Sequence, residues 1–172
     1  PRKIYVCDPV MGDVDRGLYI PEGVAAKVMT TLLPLCDYMT PNFFELQHIT
    51  DRKITTFEDL VSAVRNTPLL SGKAVIATSC HLEDTAEDII ETVLIDDKRT
   101  ERIKTRKSSI DTVGTGDIFT ALFSAQLAKG VDAVDAVRKA SSKISDILHY
   151  MENEGLTEMN ASCMLAVKLY DL

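Results

Sequence analysis

Two glycines and an acid within one short run, Asp111-Thr112-Val113-Gly114-Thr115-Gly116-Asp117, are the residues of this sequence best suited to chemistry. Glycine lets the backbone turn sharply and bring successive N–H groups to one point. The apolar stripe that begins at Ile118 puts that point at a helix N-terminus, where the dipole and unpaired N–H groups favour an anion. Asp117 places a carboxylate in the same turn, and a role in handling a proton or a metal would explain it there. The local alternative is that Asp117 caps the helix and the glycines only make a turn.

Three further polar clusters follow apolar runs. Asp8-Pro9-Val10-Met11-Gly12-Asp13 comes directly after a strand-like run, and two carboxylates there could hold a magnesium ion or its water shell. Asp-Pro and Gly-Asp are also ordinary loop chemistry. Thr40-Pro41-Asn42-Phe43-Phe44-Glu45 offers polar atoms at a second strand end, with Glu45 facing the same crevice or reaching back to cap its helix. Thr78-Ser79 ends a third apolar run, where two hydroxyls would touch a phosphate or satisfy backbone groups. Ligands of open α/β sheets collect beyond the carboxyl ends of the strands. A magnesium–nucleotide site describes these clusters more economically than four unrelated loops.

Other motifs are excluded by inspection. Ser71-Gly72-Lys73 is followed by Ala74 and has Thr67 where a P-loop needs its first glycine. Gly114-x-Gly116 has Phe119 in place of the third glycine of a dinucleotide fingerprint. His48, His81 and His149 show no metal-ligand spacing. No serine or cysteine is paired with a histidine base in the sequence. Arg102, Lys104 and Arg106 alternate along a strand-like run and so share one face. They read as a solvated edge strand, with a contribution to nucleotide binding as the alternative.

The elements that must position these residues alternate between strand and helix. Lys3–Cys7 reads as a buried strand and Asp8–Ile20 as a loop. A helix opens at Pro21, with Val24, Ala25, Val28, Thr31 and Leu32 on one face. Cys36–Met39 is a short strand, and Asn42 caps a helix through His48. Thr55 and Glu58 make a capping box for a helix through Arg65. Strands are expected at Ala74–Ala77, Thr92–Ile95 and Glu101–Thr105, the last two joined by the turn Asp96–Arg99. Helices then follow Gly116 as far as Gly130, from Asp132 to about Met151, and over Ala161–Tyr170. This order predicts an α/β sheet with covered faces and no internal domain boundary.

Composition sets the outer limits. The chain has 172 residues, 45% hydrophobic and 26% charged, the balance of a folded globular chain. Its 26 acidic and 19 basic side chains give a net charge of −7, a poor basis for sequence-independent nucleic-acid binding. No apolar run reaches the length of a membrane helix. Cys7, Cys36, Cys80 and Cys163 are far apart, which fits reduced thiols in a cytoplasmic protein better than a zinc site or a disulfide scaffold. Pro1 is not an initiator methionine and Pro1-Arg2-Lys3-Ile4 is not a signal peptide, so the chain reads as the continuation of a longer one.

Taken in order, Tyr5–Asp13, Leu18-Tyr19-Ile20-Pro21, Thr40-Pro41-Asn42 with Glu45, Thr78-Ser79 and Gly114–Asp117 resemble the pyridoxal kinases of the ribokinase-like superfamily. The resemblance runs along essentially the whole chain. It implies a three-layer α/β/α fold with a mostly parallel central sheet. Residues 1–172 would be the C-terminal part of a single kinase domain, and the N-terminal part, with most contacts to the pyridoxal ring, would be missing. It implies Asp117 as general base toward a hydroxymethyl group and Gly114, Thr115 and Gly116 as an anion hole. Asp8, Tyr19, Thr40, Asn42, Thr78, Ser79 and Val113 would meet ATP, while Asp13, Thr40 and Glu45 would organise Mg2+ and a monovalent cation such as K+. Pyridoxal, pyridoxine or pyridoxamine would be the substrate, and the enzyme would be a homodimer. The segments Glu101–Gly114 and Asp13–Tyr19 are shorter than in the animal members of that family.

Two rivals remain at this level. Hydroxymethylpyrimidine (thiamin-precursor) kinases share the Asp-Pro-Val-Met and Thr-Pro-Asn segments, but typically carry cysteine at the position of Asp117 and lack the Gly12-Asp13 pair. A non-catalytic nucleotide-binding or dimerisation module would keep the nucleotide residues without the pyridoxal-binding half.

Overall fold

The computed structural model describes residues 3–110 and 112–169. The chain divides into two compact units, one of Pro1–Thr85 with Glu91–Arg102 and the other of Ala86–Ile90 with Ile103–Leu172.

The first unit is built on short strands. β1 (Val6–Cys7), β4 (Tyr38–Met39) and β5 (Ala74–Cys80) lie side by side and run parallel, with Cys7 opposite Met39 and Met39 opposite Val75. β6 (Ile89–Ile95) pairs antiparallel with β5, and β7 (Thr100–Arg106) completes the order β1-β4-β5-β6-β7. The consecutive buried residues Val75, Ile76 and Ala77, and then Val93, Leu94 and Ile95, explain why these runs read as apolar blocks. The expected loop at 8–20 contains a small hairpin, β2 (Gly12–Asp13) and β3 (Gly17–Leu18), paired antiparallel.

Helix α1 (Glu22–Lys27) follows Pro21 as expected, but the apolar face does not continue. The backbone widens into a π turn over Val28–Leu32 and tightens into a 3₁₀ turn over Leu33–Leu35. Pro34 has no N–H to extend an α ladder. Beyond Lys27 the changed winding takes the stripe out of register, with Leu33 buried and Leu32 42% exposed; within α1 itself Ala25 is buried and Val24 is 47% exposed. Helix α2 (Phe43–Thr50) is closed at its start by a reciprocal cap between Asn42 and Glu45, and runs two residues past His48. Helix α3 (Phe57–Arg65) begins one residue later than the Thr55–Glu58 pattern suggests. Thr56 is the cap, and Asp59 accepts from the N–H groups of Thr55 and Thr56 at 3.2 and 3.0 Å.

Arg102 departs from the expected solvated strand. Its guanidinium bonds both oxygens of the fully buried Glu91 at 2.6 and 2.7 Å and both oxygens of Asp84 at 2.7 and 2.8 Å. It also lies 4.7 Å over the ring of Phe57. Lys104 and Arg106 on the same strand are exposed.

The second unit is helical beyond β7. Helix α4 (Thr115–Ala128) starts at Thr115, one residue before Gly116, and α5 (Ala133–Glu154) is capped by Asp132 and ended by Gly155 in the left-handed region. Helix α6 (Ala161–Ala166) is shorter than the expected Ala161–Tyr170. Its end turns over Val167–Leu169, and Tyr170 lies outside the described residues. Ile147, Met151 and Cys163 form a buried cluster with Ile110, Ile118 and Met159 packed against it. All four cysteines are buried free thiols. Among the described residues no helix is long and apolar enough to cross a membrane.

Candidate active site

Parallel pairing sets the carboxyl ends of β1, β4 and β5 beside one another. The N–H of Thr40 donates to the carbonyl of Cys7 at 3.0 Å, and the N–H of Thr78 donates to that of Pro41 at 2.9 Å. Asn42 and Thr78 form a further parallel bridge. Three of the predicted clusters, at Asp8, Thr40–Asn42 and Thr78–Ser79, therefore emerge from adjacent strands at one end of the sheet. That is where ligands of such sheets collect.

Glu45 ties the first two of these clusters together. It is 2% exposed, and its Oε1 accepts from the N–H of Met11 at 2.6 Å and more distantly from that of Gly12 at 3.4 Å. Its Oε2 accepts from the N–H of Asn42 at 2.9 Å, while the Asn42 side chain donates to the carbonyl of Gly12 at 2.7 Å. The helix-cap reading of Glu45 is thus met, and the same side chain also holds the Met11–Gly12 backbone. Burial pushes its carboxyl above the usual range, the three N–H bonds pull it back, and the nearby charge of Asp8 pushes it up again. The loop it holds comes very close to its neighbours. A Cβ on Gly12 would sit 2.4 Å from the carbonyl oxygen of Gly17 and 2.5 Å from the ring of Phe44.

The hairpin carries Asp13 and Tyr19. The phenol of Tyr19 donates to Asp13 Oδ2, and the N–H of Arg16 donates to Asp13 Oδ1 at 2.7 Å. The Tyr19 bond holds Asp13 below the usual carboxylate range. Partial burial and the same bond push the Tyr19 phenol up to about 12. Two residues here have left-handed backbones without being glycine: Val10 at φ 45° and Ser79 at φ 56°. For a β-branched residue such as Val10 this is strained, and strain of this kind collects at ligand sites. Ser79 lies where the β5–β6 register shifts between Ala77 and Cys80.

In the second unit, Gly114 enters α4 at φ 93°, a conformation that favours glycine. It has no side chain with which to cap, so the first N–H groups of α4, from Thr115, Gly116 and Asp117, meet no side-chain cap from that residue. Asp117 is exposed at the third position of the first turn, and Val113 is 80% exposed just before it. Asp111, the first residue of the predicted segment, lies outside the described residues.

Every other predicted site residue is described: Asp8, Asp13, Tyr19, Thr40, Asn42, Glu45, Thr78 and Ser79 in the first unit, and Val113 to Asp117 in the second. Among the described residues no three His, Cys, Asp or Glu side chains converge on a metal position. His48 stacks on Phe44, and His149 meets the carbonyl of Ser145 at 2.8 Å. Sequence reading missed Glu152 of α5, which accepts from Ser108 and Ser109 ahead of the glycine turn. No local pattern joins residues 43 and 44 positions apart.

The sequence profile of the family described as phosphomethylpyrimidine kinase matches residues 1–160. The chain belongs to that family. A pyridoxal kinase PdxY of Leifsonia xyli subsp. xyli is 30% identical over 159 residues, which are 92% of this chain and 56% of that protein. The crystal structure of pyridoxal kinase from Entamoeba histolytica superposes with a TM-score of 0.82 at 23% identity, covering 96% of this chain and 58% of that one. An ADP complex of Bacillus subtilis pyridoxal kinase matches with a TM-score of 0.65 at 27% identity, over 83% of this chain and 52% of that one. The fold of this family member is therefore the ribokinase-like α/β fold expected from the motifs. The chain spans just over half the length of the relatives it matches.

Proposed function

We propose that this chain is the phosphoryl-transfer portion of an ATP-dependent vitamin B6 kinase, which converts pyridoxal and related vitamers to the 5′-phosphate and ADP. The observation that carries the reading is a carboxylate, Asp117, on the first turn of a helix entered through a left-handed Gly114. Asp117 accepts the hydroxymethyl proton as that oxygen attacks the γ-phosphorus, and the bond to the ADP oxygen breaks. The backbone N–H groups at Gly114, Thr115 and Gly116 face the charge that develops on the transferring group. Asp8, Tyr19, Thr40, Asn42, Thr78, Ser79 and Val113 hold the nucleotide. Phosphoryl transfer depends on such positioning and charge neutralisation more than on covalent help.

Asp13, Thr40 and Glu45 would organise Mg2+ and a monovalent cation. The residues fit that role, because magnesium takes one or two carboxylates beside nucleotide phosphates and water rather than a dedicated protein cage. Bound there, it would neutralise phosphate charge. A cytoplasmic homodimer belongs to the same reading.

The decisive assay follows pyridoxal phosphate absorbance with the complete polypeptide, magnesium-ATP and pyridoxal, beside Asp117→Asn. A positioned base contributes roughly 10²–10⁴ in rate. The variant should lose turnover on that scale while its ATP affinity stays within about twofold. Equal losses of rate and ATP affinity would contradict the role of Asp117. The family profile favours a second reading, a thiamin-precursor kinase, against which Asp117 and Asp13 argue. Turnover of hydroxymethylpyrimidine but not of pyridoxal would select it, and ATP binding without either activity would select a non-catalytic relative.

A further inference from the structure

The second unit contains a polar anchor that the proposed chemistry does not use. Glu152, in the last turn of α5, accepts from Ser108 Oγ at 2.7 Å, Ser109 N–H at 2.6 Å and Ser109 Oγ at 3.0 Å, all on Oε1. The Ser108 hydroxyl also accepts from the N–H of Ile110 at 3.0 Å, so the chain turns around this carboxylate. These bonds hold Glu152 ionised down to about pH 2, with a smaller contribution from nearby His149. The residue before it, Met151, is fully buried in the apolar cluster against which Ile110, Ile118 and Met159 pack. Met159 also lies where a Cβ on Gly114 would meet it at 3.5 Å. One end of α5 thus grips the segment that leads into the glycine turn, and a residue of the same cluster abuts the turn itself.

We propose that Glu152 is a positioning residue: by fixing the Ser108–Ser109 corner it sets the path of the backbone into Gly114 and the aim of the N–H groups that open α4. This rests on the reading of Gly114–Asp117 as the phosphoryl-transfer turn. A loose corner would leave substrate binding nearly intact and misplace the donors. Small misplacements of catalytic geometry cost up to about 100-fold in rate. A glutamine retains one carbonyl oxygen able to accept these bonds, whereas an alanine retains none.

The test compares Glu152→Ala, Glu152→Gln and the exposed-neighbour control Glu154→Ala in the complete polypeptide. It measures kcat, the KM values for ATP and pyridoxal, and amide hydrogen exchange over residues 109–117. We expect Glu152→Ala to lose about 10- to 100-fold in kcat with both KM values within threefold. Glu152→Gln should recover part of that loss, and Glu154→Ala should match wild type. Exchange at Ser109 and across the turn should quicken in the same order, while exchange in the first unit stays unchanged. A kcat within twofold of wild type in Glu152→Ala would overturn the proposal, as would a loss shared equally by KM or exchange that quickens throughout the protein. If the wild-type protein transfers no phosphoryl group, the functional reading falls and the anchor is judged by exchange alone. Faster exchange across the turn in Glu152→Ala then supports the anchor, and unchanged exchange overturns it.

Discussion

Glu45 and Asp117 both occupy the third position of a helix, α2 and α4 respectively, and their neighbours separate their duties. An acid there suits the helix dipole in either case. Around Glu45 the cap residue is Asn42, and three backbone N–H groups converge on the buried carboxylate. Around Asp117 the cap is a glycine, and the side chain is exposed. The first acid therefore carries a fold-holding task, beside any cation it meets, that the second does not carry in the geometry of its cap. Glu45→Gln turns one acceptor into a donor facing an N–H group, which should cost about 1–3 kcal/mol. Asp117→Asn should leave the urea midpoint close to wild type. Comparable destabilisation of both would show that Asp117 also serves the fold.

At the scale of elements, the caps and turns make sharper tests than the strands. Thr56→Ala should destabilise by about 1 kcal/mol, as loss of a helix cap does, and Thr55→Ala by less than about 0.5 kcal/mol. Denaturant unfolding of the two variants reads the difference, and the reverse order would move the cap back to Thr55. Gly12→Ala forces a methyl group against the Gly17 carbonyl, which is backbone and cannot swing away. It should cost about 1–3 kcal/mol in the same measurement and raise the KM for ATP, because the displaced hairpin carries Asp13. The strand–helix order, the Asn42–Glu45 cap and the glycine turn were legible because each is written in neighbouring residues. The β2–β3 hairpin was not, since two-residue strands have no periodicity and this pair depends on a close approach to Phe44. The fate of Arg102 was hidden for the same reason: its partners Asp84 and Glu91 lie 18 and 11 residues away. Thr55–Glu58 fitted the usual capping pattern, yet the shorter acid Asp59 formed the bonds.

At the largest scale, the net charge of −7 on these 172 residues repels a polyphosphate. On the proposed reading, local N–H groups and a bound cation would offset that field at the nucleotide phosphates. Removing divalent metal with excess chelator should therefore abolish turnover, and added magnesium should restore it. Activity that survives chelation would remove the cation from the reading. The division into two compact units carries a consequence of another kind. The chain passes from one unit to the other after Thr85, Ile90 and Arg102, within β6 and β7 as well as before them. Neither unit is a continuous stretch of sequence. A recombination breakpoint or engineered split anywhere from 86 to 102 divides residues that one unit needs from the rest of it, so the two can be inherited or exchanged only together.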